Sequence, residues 1–186
     1  MKSSKTRRQF LTISSAVLAG SGVSIAALPL VASLSEPEDK NTLVSVDIST
    51  LAAGKTLRVK WQGQAVWIIH RTPKMLENLK KERHLLLDPD SKMAQQPFNC
   101  VNETRSIKEE IFVVIGVCTH LGCAPKPRFT ADEIITMPNQ QAGFLCPCHA
   151  ANFDAAGRVY QNKPATRNLF VPLHSYENAT TIIIGA

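Results

Sequence analysis

Two short segments of this 186-residue chain each place a cysteine close to a histidine. Cys118 lies two residues before His120, and Cys146 lies three residues before His149. A thiolate and an imidazole at such spacings can reach one metal centre from a single tight loop, so two loops together supply four ligands. The two segments therefore predict a metal centre, and we place the function of the chain there.

Two kinds of centre use two sulfur and two nitrogen ligands. A single tetrahedral zinc ion would add folding energy and carry no redox role. A two-iron cluster, with the thiolates on one iron and the imidazoles on the other, would carry electrons. The mixed ligand set favours the redox cluster, and a structural zinc module is the alternative.

The two segments resemble a known pair of cluster-binding boxes. Residues 118–123 read Cys-Thr-His-Leu-Gly-Cys, and residues 146–149 read Cys-Pro-Cys-His. In this order they resemble the boxes of Rieske iron–sulfur subunits of bacterial cytochrome bc1 complexes. The resemblance implies one [2Fe-2S] cluster. By this resemblance, Cys118 and Cys146 would bind one iron, and His120 and His149 would bind the other.

Each box contains one further cysteine, Cys123 or Cys148. The resemblance implies a disulfide between these two, which would tie the loops together. Soluble Rieske ferredoxins and ring-hydroxylating oxygenases usually lack both residues, so the extra pair argues against those relatives. Cys100 has no partner left, and we expect it to be a buried free thiol.

Residues near the boxes adjust this expectation. The family usually covers its cluster with a Gly-Pro-Ala loop. The corresponding residues here are 163–165, where lysine replaces glycine. We expect Pro164 and Leu121 to shield the cluster.

The family often reads Cys-Pro-Cys-His-Gly-Ser with a tyrosine two places later. Ala151 and Phe153 replace that serine and tyrosine, and neither can donate a hydrogen bond, which predicts a lower cluster potential.

The resemblance also implies an activity and partners. His149 would contact quinol in a pocket of cytochrome b. The electron would then pass to a c-type cytochrome, cytochrome c1. The whole complex would be a dimeric quinol–cytochrome c reductase that acts as a translocase. Exposed imidazole ligands would couple electron transfer to proton transfer. The alternatives are an exported Rieske subunit of another oxidoreductase, such as arsenite oxidase, and a low-potential paralogue.

The charge of the chain is concentrated at its start. The formal net charge is +6, of which Lys2, Lys5, Arg7 and Arg8 contribute four, leaving 17 basic against 15 acidic residues. This near balance gives no support to nucleic-acid binding.

The same N-terminal region predicts export and a membrane anchor. Residues 6–11 read Thr-Arg-Arg-Gln-Phe-Leu, which resembles a twin-arginine signal, and 25 uncharged residues follow from Phe10 to Leu34. We expect residues 1–34 to form the signal and a single-pass anchor in the bacterial inner membrane. Residues 35–42 would form a flexible tether, and residues 43–186 a periplasmic domain in which a disulfide can persist.

The periodicity of residues 43–186 predicts a mainly β fold. Alternation over 57–61 and 65–69 around Gln62 and Gly63 indicates a hairpin, and a helix is expected at about Pro73–Arg83. Apolar runs over 111–117 and 143–145 predict buried strands that lead into the two boxes, and late strands are expected at Val171 to Leu173 and over 180–184. The resemblance implies an antiparallel β-sandwich, the Rieske fold, with a cluster-binding subdomain inserted at about 116–160.

Overall fold

The computed structural model describes residues 6–18 and 42–186, and residues 6–18 form an α-helix, α1. None of the helices in these described ranges has the length and apolar character needed to span a bilayer. Most of the expected anchor over 1–34 and tether over 35–42 lies outside the described residues, so both stay predictions.

Nine strands within residues 42–186 form three antiparallel sheets. In spatial order, the first sheet contains Val44–Asp47 (β1), Thr181–Ile184 (β9) and His174–Tyr176 (β8). The second sheet contains Thr56–Trp61 (β2), Gln64–His70 (β3) and Ile111–Ile115 (β4). The third sheet contains Lys126–Arg128 (β5), Gly143–Leu145 (β6) and Asn152–Asp154 (β7). Two α-helices, Pro73–Lys81 (α2) and Ala131–Ile134 (α3), accompany them. The mainly β, antiparallel architecture predicted from the sequence is confirmed.

The second sheet is covered on both faces because its strands alternate between two cores. In β4, Val113 packs in one core with β1 and β9, whereas Phe112 and Val114 pack in the other. In β3, Ile68 and Ile69 divide in the same way. The first and second sheets thus form the expected sandwich, and the other face of the second sheet receives the third sheet.

Local sequence signals explain the elements between these sheets. The β2–β3 hairpin turns at Gln62 and Gly63, whose φ angles are 46° and 69°. Helix α2 begins after Thr72, whose side-chain oxygen accepts the Met75 N–H, and Pro73 fits the first turn because its missing N–H would have no intrahelical acceptor. The predicted hairpin and helix are confirmed, the helix ending at Lys81.

One expected strand is wrong. Val171 and Leu173 lie outside the strands, and β8 begins only at His174. Pro172 separates the two residues and has no N–H to donate to a ladder, which explains why pairing starts beyond it.

The third sheet carries the chain into and out of the second box. Phe144 of β6 lies opposite Phe153 of β7, and its ring meets that of Phe129 edge-on at a centroid distance of 5.3 Å. All three belong to the core shared with α2 and the second sheet. Since β4 ends three residues before Cys118 and β6 ends directly before Cys146, two buried strands deliver the two cysteines.

Candidate metal centre

The first loop, residues 118–123, is closed by two backbone hydrogen bonds. The Gly122 N–H donates to the Cys118 carbonyl at 2.9 Å, and the Cys118 N–H donates to the Cys123 carbonyl at 2.7 Å. Gly122 has φ of 79°, in the left-handed region, while a Cβ placed there would meet no atom within 4 Å. Backbone conformation, and not space, therefore favours glycine at this position.

The second loop, residues 146–151, repeats the same turn. The Ala150 N–H donates to the Cys146 carbonyl at 3.1 Å, and the Cys146 N–H donates to the Ala151 carbonyl at 2.8 Å. Ala150 has φ of 56° and so occupies the position that Gly122 holds in the first loop. An alanine in this conformation costs about 1 kcal/mol relative to glycine.

The two loops pair the candidate ligands by type, in a sulfur layer and a nitrogen layer. Cys118 and Cys146 are each 2% exposed, and the Cys146 thiol is close enough to help raise the pKa of the Cys118 thiol. The imidazole rings of His120 and His149 meet edge-on with a centroid distance of 4.8 Å. His120 is half-buried and His149 is exposed, so the sulfur layer lies inside the protein and the nitrogen layer faces solvent.

The surroundings of Cys118 suit a metal-bound thiolate. Burial raises the pKa of the Cys118 thiol, because desolvation disfavours the charged form. The backbone N–H groups of His120 and Leu121 donate to the sulfur and act in the opposite direction. A buried thiolate gains most from an adjacent cation, and the two thiols and the two imidazoles of these loops are the donor types of a mixed sulfur and nitrogen centre.

Cys123 and Cys148 form a disulfide, as the resemblance implied. Their sulfurs lie within 4.8 Å of that of Cys146. This group of three sulfurs is not a ligand set, because two of them are consumed by the disulfide. Cys100 is a buried free thiol in the core, as predicted.

The segment that follows the second box contacts the first loop. The Thr119 hydroxyl donates to the Arg167 carbonyl at 2.6 Å. Pro164, three residues earlier, is exposed, as is Leu121, whose side chain is 69% exposed. The structure thus brings Arg167 to the first loop, while the shielding roles of Leu121 and Pro164 stay predictions.

The sequence analysis missed the support of the second loop. Ten consecutive residues, 151–160, are all buried. The carboxylate of Asp154 accepts the Arg158 Nε–H at 2.7 Å, and both side chains are at most 1% exposed. Arg71 donates to the Ala155 carbonyl at 3.4 Å, and Arg105 donates to the Ala156 carbonyl at 3.0 Å. Arg71, Arg105 and Arg158, the arginine hub, therefore fix the chain just beyond the second loop.

The arginine hub is rich in positive charge. Burial lowers the pKa of Arg71 to about 9 and that of Arg105 to about 10, and the nearby Asp154 carboxylate partly offsets this effect. Both guanidinium groups are still charged at neutral pH. Within the described part of the chain, Asp154 is the one carboxylate that hydrogen-bonds to the hub, so it is central to the stability of this region. No spacing pattern in the sequence distinguishes these three arginines from surface residues.

The fold and the site define a class of protein, namely small antiparallel β domains in which two disulfide-linked loops present a pair of thiols and a pair of imidazoles. A family model described as "Rieske [2Fe-2S] domain" matches residues 42–177, and one described as "Ubiquitinol-cytochrome C reductase Fe-S subunit TAT signal" matches residues 1–36. The chain belongs to the Rieske [2Fe-2S] family, among relatives named ubiquinol-cytochrome c reductase iron–sulfur subunits. The family assigns a [2Fe-2S] cluster to this site in place of a zinc ion.

Several proteins are similar to this chain along most of its length. The ubiquinol-cytochrome c reductase iron–sulfur subunit of Allochromatium vinosum is 45% identical, and the match covers 97% of this chain and 89% of the relative. That of Rickettsia conorii is 34% identical over 97% of this chain and 93% of the relative. Among solved structures, the soluble domain of Rieske protein II from Sulfolobus acidocaldarius is 17% identical with a TM-score of 0.48, covering 77% of this chain and 76% of that one.

Proposed function

We propose that this chain is the electron-transferring subunit of a quinol-oxidising cytochrome bc1 complex. The observation that carries the proposal is the 45% identity to a ubiquinol-cytochrome c reductase iron–sulfur subunit along nearly the whole chain. The paired loops support it, because they present two imidazoles at the surface, where a partner can reach them.

In this proposal Cys118 and Cys146 bind one iron, and His120 and His149 bind the other. When bound, the cluster supplies one-electron exchange that can be coupled to proton transfer through its imidazole ligands. The buried thiols hold the inner side of the site away from water. The backbone N–H groups that face the Cys118 sulfur orient this ligand and stabilise its charged form.

His149 is the proposed quinol contact. Its exposed ring can offer a nitrogen to a quinol hydroxyl in a pocket of cytochrome b, whereas His120 is partly enclosed. Leu121 and Pro164, which are both exposed, would fill apolar surface of the same pocket and exclude water from the site. The electron would then pass to cytochrome c1.

The proposed setting is the bacterial inner membrane. Residues 1–34 would direct twin-arginine export and remain as a single-pass anchor, and residues 35–42 would tether the periplasmic domain over 43–186, whose cluster-binding subdomain spans about 116–160. The export-signal match to residues 1–36 supports this arrangement. The complex would be dimeric and act as a quinol–cytochrome c reductase and translocase.

Copurification tests the proposed complex. Tagged chain isolated from detergent-solubilised native membranes should bring b-type and c-type haem with it, and the preparation should reduce cytochrome c when given quinol. A His149→Ala control should keep the haems and lose the activity. Recovery of a molybdenum protein without b-type haem would instead indicate an oxidase subunit of the arsenite oxidase kind.

A low cluster potential is the second part of the proposal. Ala151 and Phe153 are fully buried in the same core as Cys146, and neither carries a hydroxyl group. A hydrogen bond to a charged acceptor is worth on the order of 1.5 kcal/mol, or about 65 mV for one electron, so two missing donors lower the potential by roughly 100 mV. Such a subunit would suit a lower-potential quinol.

A further inference from the structure

A basic groove lies beside the first loop, between the β2–β3 hairpin and strand β5. It consists of two adjoining cavities of about 350 Å³ and about 410 Å³, which share Arg58 and Ala65 in their walls. Lys60 lines one cavity, and Lys126 and Arg128 line the other. Four cationic side chains therefore line two adjoining cavities.

The groove exists because part of the second sheet stays uncovered. Cross-strand pairing sets Arg58 opposite Trp67 and Lys60 opposite Ala65, so these four side chains share a face of the sheet. Trp67 packs against the core below the third sheet, whereas the hairpin end of the same face projects beyond that sheet. The small side chain of Ala65 leaves the floor of the groove open.

The cations of the groove are only partly engaged: Arg128 acts electrostatically on Glu133, and the Arg58 guanidinium lies over the Trp67 ring at 5.9 Å from its centroid. Within the described residues, none of Arg58, Lys60, Lys126 and Arg128 forms a salt bridge, and the Arg128 Nε–H is buried without an acceptor. The acidic residue in the wall is Glu133, whose carboxylate accepts the backbone N–H groups of Phe129 and Thr130 at the start of α3. The groove thus offers a ligand a net positive charge, with four cations against one carboxylate in its walls.

The spacing of these cations matches an extended chain. Arg58 and Lys60 are two residues apart on β2, and Lys126 and Arg128 are two residues apart on β5. Alternate residues of a strand project to one side at intervals of about 6.8 Å. The combined cavities have room for a few residues, and the Trp67 ring provides apolar contact in the floor.

We propose that the basic groove binds an extended acidic segment of a partner protein, with carboxylates on alternate residues. One row of cations lies on β2, in the sandwich, and the other row lies on β5, in the third sheet. A bound segment would therefore connect the sandwich to the third sheet. This surface is separate from the histidine-bearing tip proposed to contact quinol. Its carboxylates would pair with Arg58 and Lys60 on one side and with Lys126 and Arg128 on the other.

Peptide binding to the purified full-length holoprotein in detergent tests the proposal. The probe is a fluorescent hexapeptide of alternating Glu and Ser, compared by anisotropy at low ionic strength with a block peptide of three Glu and three Ser, and with an alternating Gln and Ser peptide. We expect the alternating Glu peptide to bind several-fold more tightly than the block peptide, and the Gln peptide not to bind.

Charge-matched variants separate the groove from the net charge of the protein. Arg58→Gln with Arg128→Gln should weaken binding about tenfold, since each exposed ion pair contributes up to about 1 kcal/mol. Lys80→Gln with Lys92→Gln removes the same charge outside the groove and should change affinity less than about twofold. The visible and EPR spectra of the cluster should be unchanged in both.

Three results would overturn the proposal. If both double variants lost peptide affinity equally, binding would reflect the net charge of the protein and not the groove. If the alternating and block peptides bound equally well, the groove would not recognise carboxylates on alternate residues. Groove-dependent binding to phosphatidylglycerol vesicles, with no peptide binding, would identify a lipid headgroup as the ligand instead. None of these results would affect the proposed electron transfer, which the cluster spectra and haem copurification report separately.

Discussion

The first and second loops share one backbone design and differ in what supports them. In each, the N–H of the fifth residue donates to the first carbonyl, and the first N–H donates to the sixth carbonyl. The first loop leads into the partly buried strand β5 and is held by the Thr119 hydroxyl. The second leads into ten buried residues held by the arginine hub.

The comparison shows that different residues position the ligands and attach the loops to the rest of the fold. The repeated turn positions one thiol and one imidazole per loop, while the disulfide joins the loops to each other. The buried run beyond the second loop then fixes the pair to the sandwich. We therefore expect substitutions in the turn to affect the cluster directly, and substitutions in the hub to act through the stability of the second loop.

The largest expected effect is loss of the cluster. Cys118→Ser and His120→Ala in the first loop, or Cys146→Ser and His149→Ala in the second, should each abolish the normal [2Fe-2S] centre, because each removes one of its four ligands. Iron and acid-labile sulfide analysis of the purified protein measures this. Cys100→Ser is the matched control, since it removes a buried thiol outside both loops and should keep two irons and two sulfides.

The next effect tests the unequal anchoring. Asp154→Asn removes the carboxylate paired with Arg158 inside the protein and should lower the free energy of unfolding by about 3–5 kcal/mol. Thr119→Val removes the side-chain bond of the first loop and should cost only about 1 kcal/mol. Denaturant unfolding of the holoprotein compares them.

An exposed ion pair provides the control for charge. Asp90→Asn breaks the surface pair with Arg83 and should cost less than about 1 kcal/mol. If Asp154→Asn were no more damaging than this control, the second loop would not depend on the arginine hub.

A third prediction concerns the potential. Ala151→Ser with Phe153→Tyr introduces two hydroxyl groups next to the second loop and should raise the midpoint by roughly 100 mV, because donors to the cluster stabilise its more negative reduced form. A redox titration followed by EPR gives the midpoint. An unchanged midpoint in a folded double variant would reject the low-potential proposal.

The smallest effect comes from the fifth position of the turn. Ala150→Gly should stabilise the protein by about 0.5–1 kcal/mol, because glycine adopts positive φ without steric cost. Gly122→Ala should destabilise it by about 1 kcal/mol, although a Cβ there meets no neighbour. Thermal unfolding of both variants measures the effects, and shifts of the same sign would contradict the equivalence of the loops.

The sequence predicted the features that depend on neighbouring residues, and it missed those that depend on residues far apart in the chain. The hairpin around Gln62 and the helix after Thr72 depend on neighbouring residues, and both were predicted correctly. The two boxes were recognisable because their residue types and spacing carry the chemistry. The arginine hub depends on carbonyls up to 84 residues away in the chain, as in the contact between Arg71 and Ala155. Such contacts exist only once the fold is assembled, so the pattern of single residues could not reveal them.

The most direct test of the account is pulsed EPR of the reduced holoprotein labelled with ¹⁵N-histidine. If both loops contribute one imidazole, the spectrum should show two coupled histidine nitrogens, and His120→Ala or His149→Ala protein should lack that signature. A spectrum without histidine nitrogen coupling, from a centre ligated by thiolates alone, would contradict the ligand assignment on which the proposed function depends.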